Sequence, residues 1–168
     1  QDGAESLGPA GRSYEGPDRE QRPAAAMQTA MACTVPVPGS NGSSVGLAFA
    51  ASGMTGLITL ASLLPESAGG AVDRSAVTLW QAESSASSTA NIGGLSALRP
   101  GRTVVVVDLI GEGTEPRLAT IQALDHHGGF TLDRSATPGS PVIDVQSGTA
   151  IGIVIGDTRA VGPTQLRN

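Results

Sequence analysis

From Met27 onward, short apolar runs alternate with Gly, Pro, Asn and Ser, a pattern that predicts strands and turns. Residues 27–37 form a first candidate strand, ended by Pro36 and Pro38, and Asn41-Gly42 marks a turn. Residues 45–51 (VGLAFAA) and 56–64 (GLITLASLL) are two apolar runs joined by a Ser-Gly-containing loop, the spacing of a hairpin. Residues 72–81 make a weaker strand, and the small polar stretch 82–92 reads as a loop. Thr103–Ile110 (TVVVVDLI) is the strongest strand of the chain. Residues 117–124 (RLATIQAL) have helical propensity, but their strand-like neighbours favour a strand, followed by another at 129–133. Residues 141–145, a Gln146-Ser147-Gly148 turn and residues 149–155 make a β-hairpin, and the tail from Asp157 has room for a short strand or turn. Strands do not alternate with long helices, which argues against a parallel α/β sheet. Many closely spaced short strands predict a barrel or sandwich.

Residues 1–26 differ from the rest. They are rich in Gly, Pro, Glu and Arg, hold one Leu and one Tyr, and show neither period. Such a segment predicts an extended or disordered arm that only a partner surface would order.

Composition narrows the picture. A chain of 168 residues is expected to form one domain with a real core. Phe49, Phe130, Tyr14 and Trp80 are its only aromatics, so that core must be built from Val, Ile, Leu and Ala. The net charge is −5, all ten positive residues are Arg, and no basic stripe stands out, which argues against nucleic-acid binding. A single cysteine, Cys33, excludes an internal disulfide. No stretch is apolar enough to span a bilayer, and none reads as a signal peptide. A chain beginning at Gln1 is expected to be processed; the compartment stays open, with an extracytoplasmic location after signal removal favoured.

Three segments, in order, resemble the landmarks of trypsin-like serine peptidases of the HtrA-like branch. Residues 44–65 (SVGLAFAASGMTGLITLASLLP) resemble the small-Gly-apolar strand, Gly turn and "L-T-x-A-H" run that carries the catalytic histidine. Residues 95–124 are similar to the opening of the second barrel. Residues 130–156 (FTLDRSATPGSPVIDVQSGTAIGIVIG) resemble the nucleophile loop and the hairpin that follows it. The resemblance implies an all-β fold of two antiparallel six-stranded barrels, the first one shortened, behind an extended N-terminal arm. The implied boundaries are 1–26 for the arm and 27–168 for the double-barrel domain, with 27–94 as first barrel and 95–168 as second.

The same resemblance implies an impaired site. The family's nucleophile lies three residues before the loop proline; with Pro141 as that proline, the position holds Pro138. The run Thr59-Leu60-Ala61-Ser62 puts Ser62 where the histidine would stand. Asp73 is a carboxylate between the two landmarks, but no motif surrounds it and it is not assigned. Acyl transfer on this template needs a hydroxyl hydrogen-bonded to an imidazole base. Pro138 has no hydroxyl, and Ser62 has no useful basicity at neutral pH. Pro138 also lacks the N–H that serves as one oxyanion donor, and the second donor position holds Ala136. The expectation is therefore a non-enzyme: a pseudoprotease that binds other protein subunits or serves as a structural subunit, with the arm as one route of contact.

Two rival functions are carried forward. One is a hydrolase with altered residues, built on Ser140 or Ser62 with His126 or His127; against it, Ser140 reads as a turn serine bonding local backbone. The other is an unrelated small all-β structural protein. His126 and His127 are also the only histidines available to a metal, but adjacent side chains on extended chain point to opposite faces and too few further ligands are evident. No metal and no cofactor is expected. Gly111-Glu112-Gly113 lacks the full fingerprint of a phosphate-binding turn. Trp80, the sole Trp, is the candidate binding anchor, although partial burial in packing is its commoner use.

Overall fold

The computed structural model describes residues 22–38, 44–63, 77–80, 86–111, 113–125 and 128–166. It opens with a helix, α1 (Arg22–Cys33), which runs directly into β1 (Thr34–Pro38). The expectation of a strand over 27–37 is corrected here, and the last five residues of the expected arm, 22–26, are helical as well. The physical reason is local. Pro23 suits a helix's first turn, and the following Ala, Met and Gln are good helix formers. Ala26, Ala30 and Cys33 recur at helical spacing and are all buried, but they are too small to give a strong apolar signal. The chain turns to strand where the β-branched pair Thr34-Val35 begins. The Ala32 carbonyl, in the last turn, accepts hydrogen bonds from Ser87 N and Ser88 N at 3.0 and 3.1 Å and from Ser87 Oγ at 3.1 Å.

β1, β2 (Ser44–Ala50), β3 (Leu57–Leu60) and β4 (Val77–Trp80) form a four-stranded antiparallel sheet in the order β1-β2-β3-β4. This is the shortened first unit: among the described residues it is an open sheet, not a closed barrel. The remaining strands are β5 (Thr103–Ile110), β6 (Gly113–Leu124), β7 (Phe130–Leu132), β8 (Pro141–Asp144), β9 (Ala150–Gly156) and β10 (Arg159–Val161). They close into a six-stranded antiparallel barrel of order β10-β7-β6-β5-β8-β9. The strand predicted at 103–110 is found with those bounds, and the ambiguous RLATIQAL segment is strand. A short helix, α2 (Pro163–Leu166), ends the described chain.

The valine run of β5 shows how the two units share one interior. Val104 and Val106 join Ile121, Phe130, Leu132, Val142 and Ile151 inside the barrel. Val105 and Val107 point the other way, into a core shared with Leu47, Phe49, Ile58 and Leu60 of the first sheet and with Ala26, Ala30 and Cys33 of α1. Alternate residues of a strand face opposite sides, so an uninterrupted apolar run marks a strand buried on both faces. Packing β2 and β3 against β5 places the start of β2 beside the loop that precedes β8, and the candidate site lies at this junction.

Cys33 is fully buried, and burial pushes its thiol up to about 11, outweighing the opposing hydrogen bonds from Thr34 Oγ1 and from its own backbone. Iodoacetamide at about pH 8 should therefore leave the native protein unlabelled and modify Cys33 only in denaturant. Rapid native labelling, read by mass spectrometry, would contradict this packing.

Candidate functional site

Thr137-Pro138-Gly139-Ser140 is a β-turn closed by the Ser140 N–H donating to the Thr137 carbonyl at 3.1 Å. Gly139 has φ of 90°, so Pro and Gly occupy the second and third positions that a type II turn requires. The turn is fastened on three sides. The Pro138 carbonyl accepts from Leu47 N of β2 at 2.9 Å. Gly139 N donates to the Val154 carbonyl of β9 at 2.8 Å, and Val154 N donates back to the Ser140 carbonyl at 2.9 Å. The side chains complete the attachment: Ser140 Oγ accepts from Val107 N at 2.8 Å, and Thr137 Oγ1 accepts from Leu109 N at 2.9 Å. β5 pairs with β8 only at Val104 and Val105, so these two hydroxyls take over donors that the ladder leaves open.

Ser140 is fully buried, and its Oγ also donates to the Pro141 carbonyl at 2.9 Å. Its one proton and an acceptor site are thus both engaged. Ala136 is buried, and its N–H donates to the carbonyl of Asp157 at 3.1 Å. Asp157 reaches this position with φ of 49°, in the β9–β10 turn, a left-handed conformation that Asp tolerates better than most residues. Pro138 has no N–H to offer. Of the two backbone positions the sequence singled out as oxyanion donors, one therefore has no hydrogen and the other is hydrogen-bonded within the fold.

Ser62 lies in the one-turn 3-10 helix Ala61–Leu63 that follows β3, with its side chain exposed. Two residues before that turn, Thr59 is buried and donates to the Leu47 carbonyl at 2.8 Å, which ties the end of β3 to β2. Gly46 is the meeting point. A Cβ there would lie 2.6 Å from Leu63 Cδ1 and 2.8 Å from the Pro138 carbonyl oxygen, so the Ser62 turn and the Pro138 turn converge on the start of β2. Trp80, at the end of the edge strand β4, is half-buried against the cluster of Val37, Ala48 and Leu57. His126 and His127 lie outside the described residues, as does Asp73. The loop that contains the two histidines is closed by Asp125 N donating to the Gly129 carbonyl at 3.0 Å and Gly129 N donating to Asp125 Oδ1 at 2.9 Å.

One polar cluster near the end of β8 escaped the sequence reading. Asp144 is fully buried and receives Arg102 Nε at 2.8 Å and Nη2 at 3.0 Å, a bidentate pair. Ser147 adds its N–H at 3.1 Å and its Oγ at 2.6 Å. Burial alone would raise the Asp144 carboxyl, but Arg102 and Ser147 outweigh it and hold the group below the usual carboxylate range. No spacing motif announces a pair 42 positions apart in sequence.

A closed antiparallel barrel joined through a shared core to a second sheet is a trypsin-like fold, shared with solved structures that include an HtrA-type protease. No protein-family model and no curated protein matches the chain. Among solved structures, Deg5 superposes with a TM-score of 0.64 at 14% identity, covering 92% of this chain and 94% of Deg5. The HtrA-type protease AlgW, solved with a tripeptide, gives a TM-score of 0.57 at 18% identity over 85% of this chain. The chain spans 60% of the AlgW chain. The fold also separates this protein from a single β-sandwich.

Proposed function

We propose that this chain is a non-catalytic trypsin-like domain that acts as a protein-binding or structural subunit of a larger assembly. The observation that carries the reading is the Pro138 turn. With Pro138 at the nucleophile position, the loop offers neither a hydroxyl nor an N–H, and the Ala136 N–H is spent on Asp157. Ser62 at the histidine position supplies no base at neutral pH. Removing either member of such a pair abolishes most of the rate, and on this reading Pro138 and Ser62 stand in place of both, with Pro138 also taking away half of the oxyanion site.

A binding role has support of its own. β4 is an edge strand of the first sheet, and among the described residues it pairs only with β3. It carries Leu79, an exposed large apolar residue, and the half-buried Trp80. An unpaired apolar edge is suited to receiving an extended segment of a partner by strand addition. Trp80 would then anchor the contact.

The competing hydrolase reading is favoured by one observation, that the similar structures include the HtrA-type protease AlgW. A fluorophosphonate probe separates the two. The wild-type chain should remain unmodified by mass spectrometry, while native mass spectrometry of material from its source finds it in a fixed-stoichiometry complex. Labelling that disappears in Ser62→Ala or Ser140→Ala would overturn the proposal. Ser140→Ala should instead act on stability alone, costing about 1–3 kcal/mol because Val107 N–H is left buried without a partner.

A further inference from the structure

At the other end of the barrel, an open cavity of about 370 Å³ lies between α1, the turn before β5 and the turn after β8. Arg22, Arg99 and Arg102 all line it, together with Thr103, Val145 and Gln146. The three arginines arrive from different elements. Arg22 opens α1. Arg99 and Arg102 are the first and fourth residues of a turn closed by Arg102 N donating to the Arg99 carbonyl at 3.2 Å. Pro100 and Gly101, the latter with φ of 90°, make it a type II turn, which sets its end residues within about 7 Å of each other. Gly101 N and the Arg102 carbonyl both bond to Ile121 of β6, at 2.7 and 2.9 Å, so the turn is held against the barrel.

The charge at this place is unbalanced. Among the described residues, no carboxylate lines the cavity. Asp144 neutralises Arg102 through Nε and Nη2, and among the described residues the Nη1 donors of that guanidinium have no partner. Arg22 and Arg99 have exposed side chains, and among the described residues neither guanidinium has a hydrogen-bond or ion-pair partner. Among the described residues, two guanidiniums without a compensating carboxylate thus share one concavity, in a chain of net charge −5. Arg22 also stands at a helix start, where a cation is repelled by the helix dipole, and an anion in the cavity would relieve that repulsion. Planar guanidinium forks match the paired oxygens of phosphate and carboxylate groups.

We propose that this cavity is an oxyanion-binding site that takes a doubly charged phosphate or dicarboxylate group between Arg22 and Arg99, with Arg102 at its back. The site is independent of the Pro138 junction. Thr103 at its rim is four residues along β5 from Val107, which Ser140 holds, or about 13 Å of strand. It therefore stands whether or not the chain is a hydrolase.

The test is calorimetric titration of the full chain with inorganic phosphate and, separately, with succinate, at low salt. The expected result is saturable binding with Kd near 1 mM or tighter, about −4 kcal/mol, for at least one of the two. Binding of phosphate alone assigns a tetrahedral oxyanion, and binding of succinate alone assigns paired carboxylates. Arg22→Gln and Arg99→Gln should each weaken it about fivefold, and the double variant should abolish it, with thermal melting unchanged because neither side chain has a partner to lose. Raising the salt to about 0.5 M should weaken binding further. No saturation by either anion, or equal binding by the double variant, would overturn the assignment.

Discussion

Gly139→Ala is expected to be the most damaging single-methyl change in this protein, costing about 3–5 kcal/mol and, in a domain of this size, preventing folding or leaving it marginal. Two separate costs meet at the position. The backbone has φ of 90°, which an L side chain adopts only at a penalty. The new Cβ would also collide with the Leu47 carbonyl oxygen and lie 2.8 and 2.9 Å from Leu47 C and N. These are backbone atoms of a central strand, and they cannot swing aside as a side-chain tip does. Gly148→Ala is the control. Its φ is 72°, but nothing lies within 4 Å of the added carbon, so only the conformational penalty of about 1–2 kcal/mol applies. Urea denaturation of the two variants side by side gives the comparison. Equal losses would mean that the Thr137–Ser140 turn is not docked on β2, and the junction described above would have to be redrawn.

Asp144→Ala should cost about 3–5 kcal/mol at neutral pH, the range for breaking one partner of a buried ion pair. Arg102 is 22% exposed, so water can recover part of its solvation and the lower end of that range is expected. The loss reaches the backbone because the Asp144 carboxylate accepts the Ser147 N–H at 3.1 Å and the Ser147 Oγ at 2.6 Å, and so helps to organise the β8–β9 turn. The pH dependence has a definite sign. The folded carboxyl is held below its ordinary value, so its contribution is complete above the unfolded value of about 4 and disappears as pH falls through the lower folded value. Wild-type stability should therefore fall on acidification below about pH 4, while Asp144→Asn starts lower and loses less over that window. Parallel acid-unfolding curves for the two proteins would show that Asp144 is not a principal source of the dependence.

Much of the strand pattern was legible. Thr103–Ile110 could be read directly because an unbroken β-branched run has few alternatives to a strand buried on both faces. The β8–β9 hairpin was legible from its turn residues. The helix α1 was not, since its buried face consists of Ala26, Ala30 and Cys33, residues that read equally well as neutral filler. Its helicity is favoured by propensity, and its place is set by packing on β5, β6 and β8. The two units were also unequal in legibility. The barrel closes through six strands whose apolar positions are explicit, whereas β4 is a four-residue strand with half-exposed positions and offered a weak signal.

For the candidate site, the sequence by itself determined what each residue is able to donate or accept. Pro138 has no N–H and no hydroxyl in any fold, and Pro138-Gly139 prescribes a tight turn wherever it stands. Only the tertiary structure decided where the remaining groups are spent. Ala136 N–H goes to Asp157, Ser140 Oγ to Val107 and Pro141, and Asp144 to Arg102. It also decided that three arginines with no common motif face one cavity. The physical reason is the same in each case. Hydrogen-bond capacity is a property of the residue, but its distant partners are chosen by strand register and by barrel closure, which bring Val107 to Ser140 and Arg102 to Asp144 across 33 and 42 positions of sequence.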